Sequence, residues 1–260
     1  MRGNWHRPTT DAEVGQIAAD IDRQGYGALV GYVSEAELEP IRAIARSMVR
    51  PYGGDFAVSE GTEVVAGTVL SELPHSATFK DLCRRLFELT TGDAAPQRIF
   101  YQTLRCLRGS TGKSRRHSYA FHYDGYMLTA ILPVEIPQNG PHGDLLVIPN
   151  TRRIRRWYLL SLLENNLVKI APVQLILSII ARKGILNAVT VRLRPGTIYF
   201  IWGYRSLHAN GPCGRDALRA TAIFQFGYLH QHNKFSIMFR RVMPCIGVRR
   251  PHWSGEGGRD

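Results

Sequence analysis

His117-Ser118-Tyr119-Ala120-Phe121-His122-Tyr123-Asp124-Gly125-Tyr126 runs directly into the apolar segment Met127–Ile136. Aromatic and apolar residues alternate through it, the pattern of a β-strand, in which side chains i and i+2 share a face. His122 and Asp124 then point the same way, an imidazole beside a carboxylate. Together they make two thirds of a facial two-histidine, one-carboxylate metal site, a donor set that suits an oxygen-activating ferrous ion. The triplet alone says little. Nine histidines and ten aspartates yield one His-x-Asp by chance in roughly one chain out of two or three, and His142-Gly143-Asp144 is a second.

At 260 residues the chain can bury one large core, or one core with an elaborated edge. No internal repeat, low-complexity segment or Ser/Pro-rich linker divides it. The expectation is one domain over 1–260, with a helix-rich portion 1–95, a strand-rich core 96–230 interrupted by a helical insert 152–187, and a basic tail 231–260. The four cysteines, Cys83, Cys106, Cys213 and Cys245, are far apart and form no Cys-x-x-Cys pair. A disulfide framework or thiolate zinc site is not expected, and a reducing cytoplasm is the default compartment. The first residues lack the apolar core of a signal peptide. The uncharged apolar run Ile170–Ala181 is 12 residues long, short of the ~20 that span a bilayer.

The net charge is +12, and its distribution is uneven. Arg98–Arg116 carries six basic residues and no acid, Arg152–Lys183 seven basic residues against Glu164, and residues 230–260 six against two. Either these are solvated basic faces, or anionic partners meet the protein near what Arg98–Lys183 surrounds.

In chain order, Thr10-Asp11-Ala12-Glu13 has capping-box spacing ahead of Val14, Ile17, Ala18 and Ile21 at helical period. Gly25–Val33 reads as a short strand, and Ser34-Glu35-Ala36-Glu37 as a second capping box opening a helix through Met48. A strand near Glu63–Leu70 and a helix over Phe79–Leu89 follow. From Arg98 onward strands dominate: Arg98–Leu107, the His122 stretch, Asp144–Ile148, Ala188–Leu193, Gly196–Trp202 and Arg219–Tyr228. Gly109-Ser110-Thr111-Gly112-Lys113-Ser114 is not a phosphate loop, because Leu107 stands where that motif needs its first glycine. In the insert, Trp157, Leu160, Leu163 and Leu167 recur at helical spacing, as do Val173, Ile176, Leu177 and Ile180. Helices first and many short strands later predict an α+β chain built around a β-barrel or jelly roll.

A second histidine for the metal has to come from a later strand. His208, in Leu207-His208-Ala209-Asn210-Gly211-Pro212, is the candidate, and Arg219 follows eleven residues on. An arginine facing a barrel interior is costly unless it meets an anion, and a guanidinium fork fits a carboxylate. With these residues in place the chain resembles the phytanoyl-CoA dioxygenase-like branch of the Fe(II)/2-oxoglutarate-dependent oxygenases. The likeness runs through the Gly25–Val33 strand with its capped helix, His122-x-Asp124, Gly143-x-Leu145-x-x-x-Pro149, Arg194-Pro195-Gly196-Thr197, and His208 through Arg219. Asn150-Thr151-Arg152 stands where the family has Gly-Ser-His, and Thr197 where it has aspartate.

The resemblance implies a double-stranded β-helix core, a jelly roll of the cupin-like kind. It implies Fe(II) on His122, Asp124 and His208, and 2-oxoglutarate on Arg219, with Asn210 and Gln102 helping to hold it. Oxidative decarboxylation of 2-oxoglutarate to succinate with O2 would be coupled to oxidation of a substrate carbon, usually hydroxylation. The carboxylate at Asp124 argues against a halogenase. The resemblance makes His142-Gly143-Asp144 a turn. Arg215 competes with Arg219 for the anion, but its place in the loop Cys213-Gly214-Arg215-Asp216 predicts an exposed residue. Arg116, Tyr126 and Trp157 are the expected substrate contacts.

The insert has two readings: helices covering the barrel with their arginines in water, or a lid or surface anchor. Arg152, Arg153, Arg155 and Arg156 directly before Trp157-Tyr158-Leu159-Leu160 suit a boundary between charged headgroups and acyl chains. The expected substrate is a small-molecule, acyl or lipid-linked compound of anionic character, with a peripheral membrane contact through residues 152–186. A soluble specialised metabolite or amino acid is the alternative, with desaturation or cyclisation as outcome. A non-enzymatic basic module binding membranes or nucleic acid would explain the charge but not the ordered His122, Asp124, His208 and Arg219, so no nucleic-acid partner is expected.

Overall fold

The computed structural model describes residues 3–49, 56–96, 100–108, 118–155, 157–184, 188–214 and 217–229. Helix α1 (Asp11–Gln24) opens with the expected reciprocal cap. The Thr10 hydroxyl accepts from Glu13 N at 3.2 Å, and the Glu13 carboxylate accepts from Thr10 N at 2.8 Å. Strand β1 (Gly27–Leu29) leads to α2 (Glu35–Val49). Here only half of the expected box forms, because Glu37 N donates to the backbone oxygen of Ser34 and not to its hydroxyl, but the Glu37 carboxylate collects more donors than a box supplies. Besides Ser34 N at 2.9 Å and Ser34 Oγ at 2.6 Å, it accepts from Gly3 N at 2.8 Å and Trp5 Nε1 at 3.0 Å, fastening the chain start to this helix.

Strand β2 (Phe56–Glu60) precedes α3 (Val69–Glu72) and α4 (Ala77–Thr91). The strand expected near Glu63–Leu70 is therefore a turn running into α3. Its apolar residues Val65, Val69 and Leu70 are buried among helices, an arrangement a short apolar run permits as readily as a strand. Strands β3 (Tyr101–Arg108), β4 (Tyr126–Glu135), β5 (Leu145–Ile148), β6 (Val189–Val191), β7 (Ile198–Ile201), β8 (Leu207–Asn210) and β9 (Leu218–Tyr228) follow. Between β5 and β6 the insert folds as α5 (Tyr158–Lys169) and α6 (Ala171–Arg182). The tail from residue 230, Arg116 and Arg215 lie outside the described residues.

The strands form two antiparallel sheets, one in the order β1-β7-β4-β9-β3-β2 and one in the order β6-β5-β8. This is the jelly-roll core expected from the sequence. Period-two alternation decides what each strand shows to each side. On β9, Ala220, Ala222, Phe224 and Phe226 pack with the helical layer, where Ile17, Leu38 and Phe79 are buried. The intervening Arg219, Thr221, Ile223 and Gln225 face the barrel interior, as do Ile131 of β4 and Tyr199 and Ile201 of β7, which meet Leu145 and Val147 of β5. The interior is apolar at one end and polar at the other.

The described part of the opening stretch, 118–125, is not the continuous strand its alternation predicts. Tyr119 takes a positive φ of 56°, and His122 touches the sheet through one isolated bridge to His208. The strand itself begins at Tyr126. The positive φ turns the backbone before regular pairing can start, and the bridge is enough to aim His122 and Asp124 into one space.

Candidate metal centre

His122 N donates to His208 O at 2.9 Å and His208 N to His122 O at 3.1 Å, which locks the two residues side by side. Their rings lie 4.4 Å apart. Each ring is oriented by its own chain: the Nδ1 atoms of His122 and His208 lie 3.0 Å from the carbonyl oxygens of Ala120 and Ser206. A carbonyl oxygen only accepts, so Nδ1 carries a proton in each ring and Nε2 is the atom turned toward Asp124. The separations are 3.8 Å from His122 Nε2 to Asp124 Oδ1 and 3.5 Å from His208 Nε2 to Asp124 Oδ2. One donor atom from each of the three residues lies within 4.8 Å of the others.

Burial, reinforced by His208, lowers the His122 pKa to about 4 and keeps its ring neutral at pH 7. Burial works against charge on Asp124, but the two imidazoles and the hydroxyl of Thr129, which donates to Oδ2 at 2.5 Å, outweigh it and hold the carboxyl low. Two oriented lone pairs and a supported carboxylate fit a divalent transition-metal ion, with the backbone carbonyls as the outer partners such ligands use.

Gly203 completes the pocket for Asp124, whose backbone N–H donates to Gly203 O at 2.9 Å. A Cβ at Gly203 would run into Asp124 Oδ2 and Thr129 Oγ1.

Arg219 is buried, and among the described residues it makes no ion pair with a carboxylate. Its Nε donates to Gly143 O at 2.9 Å, Nη2 to Asn210 Oδ1 at 2.9 Å and Nη1 to Thr221 Oγ1 at 3.4 Å. Burial, then the nearby Arg105, lower its pKa to about 10. Asp144 is the carboxylate that acts on it, from beyond ion-pair distance, so the hydrogen bonds of this buried guanidinium go to neutral oxygens. Asn210, two residues beyond His208 on β8, links this cation to the histidine strand.

A cleft of about 560 Å³ opens beside His122. Asn210, Arg105 and Phe121 border it on the barrel side, and Lys169, Gln174, Leu175 and Arg182 on the insert side. The insert is thus a wall of the cleft. A second hollow of about 40 Å³, near Asn4, Arg7 and Tyr32, holds none of the candidate residues.

Two clamps hold the insert. The Gln174 amide pairs with the backbone of Phe121, accepting from its N–H at 3.1 Å and donating to its carbonyl at 2.6 Å, one residue before His122. Arg152 lies between the rings of Tyr123 and Tyr204, at 4.1 and 4.0 Å. It donates to Asn165 Oδ1 of α5 at 3.1 Å and to the backbone carbonyl of Asp124 at 3.5 Å. The first arginine of the insert is therefore buried, not part of a solvated or lipid-facing cluster.

The other expected residues fall elsewhere. Gln102 opposes Phe224 on the helix-facing side of the sheet, and its amide donates to Leu70 O at 3.0 Å, so it does not join the site. Tyr126 shares the face of Leu128 and Ala130, opposite to Thr129, with its ring 5.5 Å from that of Tyr228. Trp157 is 78% exposed at the start of α5, away from the cleft lining. The triplet His142-Gly143-Asp144 makes no metal cluster. His142 Nδ1 contacts Pro137 O at 2.7 Å, and Gly143 serves Arg219. Thr129, Gly203, Arg105 and Gln174 went unread in the sequence. Of these, only Arg105 had a signal there, in its i, i+2 spacing from Leu107 and Thr103 along a strand.

No family model matches the chain, and no curated protein matches its sequence. Solved structures do. The non-haem α-ketoglutarate-dependent epimerase SnoN from nogalamycin biosynthesis aligns with a TM-score of 0.54 at 17% identity, over 92% of this chain and 93% of its own. The α-ketoglutarate-dependent carbocyclase SnoK from the same biosynthesis aligns with a TM-score of 0.52 at 16% identity, over 85% and 87%. A prolyl hydroxylase from Trichoplax adhaerens, in complex with a hypoxia-inducible-factor peptide, aligns with a TM-score of 0.54 at 12% identity, over 84% and 90%. These likenesses establish a shared fold.

Proposed function

We propose that this chain is an Fe(II)/2-oxoglutarate-dependent oxygenase of the phytanoyl-CoA dioxygenase-like branch, folded as one oxygenase domain. His122, Asp124 and His208 would hold the iron, and Arg219 with Asn210 the distal carboxylate of 2-oxoglutarate. The observation that carries the reading is a pairing: a three-donor cluster and a buried guanidinium with no carboxylate at ion-pair distance among the described residues, joined through Asn210 on the strand that bears His208. Iron bound there, with 2-oxoglutarate and O2, would supply oxidative decarboxylation to succinate coupled to hydroxylation of an unactivated C–H.

The chain's own residues do the rest. The Ala120 and Ser206 carbonyls fix the imidazole tautomers, and Thr129 orients the carboxylate of Asp124. Arg219 neutralises the keto acid's far end in a site where an unmatched charge is costly. Arg105, Lys169 and Arg182 border the same cleft and favour an anionic small-molecule, acyl or lipid-linked substrate. We place the enzyme in the cytoplasm, in peripheral contact with a membrane. Desaturation or cyclisation of a soluble metabolite is the second reading, favoured by SnoN and SnoK being named an epimerase and a carbocyclase.

Anaerobic addition of Fe(II) and 2-oxoglutarate should produce the weak visible charge-transfer band of the chelate, and His208→Ala should abolish it. A wild-type protein without the band would refute the reading. Succinate release across acyl, glycolipid and amino-acid panels would then identify the substrate class.

A further inference from the structure

We infer that the bent α5–α6 pair is a docking surface for a bilayer rich in anionic lipid, and that it sets the mouth of the cleft at the lipid surface. Of the twelve large apolar side chains exposed among the described residues, nine lie between Trp157 and Ile179. Leu160, Leu163 and Leu167 form a stripe on α5, and Leu175, Ile176 and Ile179 continue it on α6, each 43–59% exposed. An ordinary covering helix turns such a stripe inward. Here Val168, Leu177 and Ala181 already pack inward beside the polar anchors Asn165 and Gln174, and the stripe is a second apolar face left outside. A contiguous exposed apolar face of this kind marks an interaction surface.

Charge selects the occupant. Arg153, Lys169, Arg182 and Lys183 are exposed at the ends of the two helices. The one acid between Arg152 and Lys183, Glu164, is taken by Arg155 at 2.6 Å and Arg152 at 3.6 Å. A second copy docking on this face would set cations against cations, whereas a layer of acidic headgroups complements them. Each helix has 12 residues, about 18 Å against a hydrocarbon core of ~30 Å, and the two are bent by 64°. No single helix among the described residues is long and apolar enough to cross a membrane. The bent pair therefore suits lying in the interface, with the Trp157 indole at headgroup depth.

Leu175, Lys169 and Arg182 belong both to this helix pair and to the cleft lining. The molecule that enters from the surface is then an amphiphile with an anionic head and an alkyl chain. That this amphiphile is the substrate rests on the oxygenase reading; the docking does not.

The test is flotation of the full chain with vesicles of phosphatidylcholine alone and of phosphatidylcholine with phosphatidylglycerol. The protein should float with the anionic vesicles at low salt and bind neutral ones at least about ten-fold more weakly. Leu163→Glu, Leu167→Glu and Ile176→Glu combined should cut flotation at least about ten-fold and leave the Fe(II)–2-oxoglutarate band intact. Arg153→Glu with Lys183→Glu, which leaves the apolar stripe alone, should weaken binding to the anionic vesicles only. The inference is overturned if wild type stays in the soluble fraction with anionic vesicles at low salt. Equal flotation by the triple variant, or a wild-type dimer that this variant dissociates without any vesicle binding, overturns it too. Flotation requires neither iron nor keto acid. Failed flotation with a normal band rejects the docking alone, and a missing band with normal flotation rejects the oxygenase reading alone.

Discussion

Arg219 Nε donates to the carbonyl oxygen of Gly143 at 2.9 Å, and a Cβ on Gly143 would stand 2.5 Å from Arg219 Cδ. Gly143 also has a φ of +72°, where any other residue is strained. One glycine thus meets two demands, a left-handed turn and the close passage of a guanidinium stem. Gly143→Ala adds strain of about 1–3 kcal/mol and pushes on the stem of Arg219. The expected result is a fall of roughly ten-fold or more in 2-oxoglutarate affinity, read by titrating the chelate band, with Fe(II) binding little changed. Unaltered affinity for the keto acid would separate Gly143 from the function of Arg219.

Gly203 stands to Asp124 as Gly143 does to Arg219. Its missing Cβ leaves the room in which the carboxylate and Thr129 Oγ1 meet. Gly203→Ala should displace the carboxylate and weaken metal binding more than Thr129→Val, which removes only one hydrogen bond. For the latter, loss of an outer-shell partner predicts about 10–100-fold weaker metal affinity. Isothermal titration with Fe(II) or Co(II) under nitrogen measures both. Parity of the two variants with wild type would remove Asp124 from the site.

The fastening of the chain start makes a prediction in pH. Burial opposes charge on Glu37, but Ser34, Trp5 and Gly3 donate to it and draw its pKa from 4.5 to about 2. Because the folded value is the lower one, the bonds' contribution to stability is fully present above pH 4.5 and is lost as pH falls toward 2. Wild type should lose thermal stability across that window. Glu37→Gln should begin with a lower Tm at pH 7 and show a shallower decline. Parallel melting curves for the two proteins would show that Glu37 contributes nothing by ionising.

Much of this molecule could be read from local pattern, because local pattern is what caps and alternating strands record. The Thr10–Glu13 capping box, half of the Ser34–Glu37 one, α4, the insert helices and most core strands follow from spacing alone. The structure also brings His122, Asp124, His208, Asn210 and Arg219 together, as the order of motifs implied. What escaped was decided by the third dimension. Gln102 and Arg105 lie on one strand three residues apart, and only the pairing of β3 with β9 tells that Arg105 faces the cleft and Gln102 the helices. Gly203 and Thr129 are ordinary residues until Asp124 is folded between them. The apolar stripe on α5 reads as a core face because periodicity records that a stripe exists and not which way it points.

The clamp by Arg152 joins the insert to the segment that bears Asp124, and its strength can be tested apart from catalysis. The guanidinium lies between Tyr123 and Tyr204 and reaches Asn165, Glu164 and the carbonyl of Asp124. Lysine cannot reproduce that planar, many-donor contact. Arg152→Lys should therefore destabilise the protein by about 2 kcal/mol or more, and hydrogen exchange should accelerate first across α5, the element that loses its anchor. Gln174→Leu removes the other clamp and should loosen α6 at Phe121, while leaving α5 protected. If Arg152→Lys raised exchange uniformly over the whole chain, the arginine would be a general core residue. Acceleration confined to α5, together with a weaker chelate band, would identify it as the residue that positions the cleft wall against Asp124.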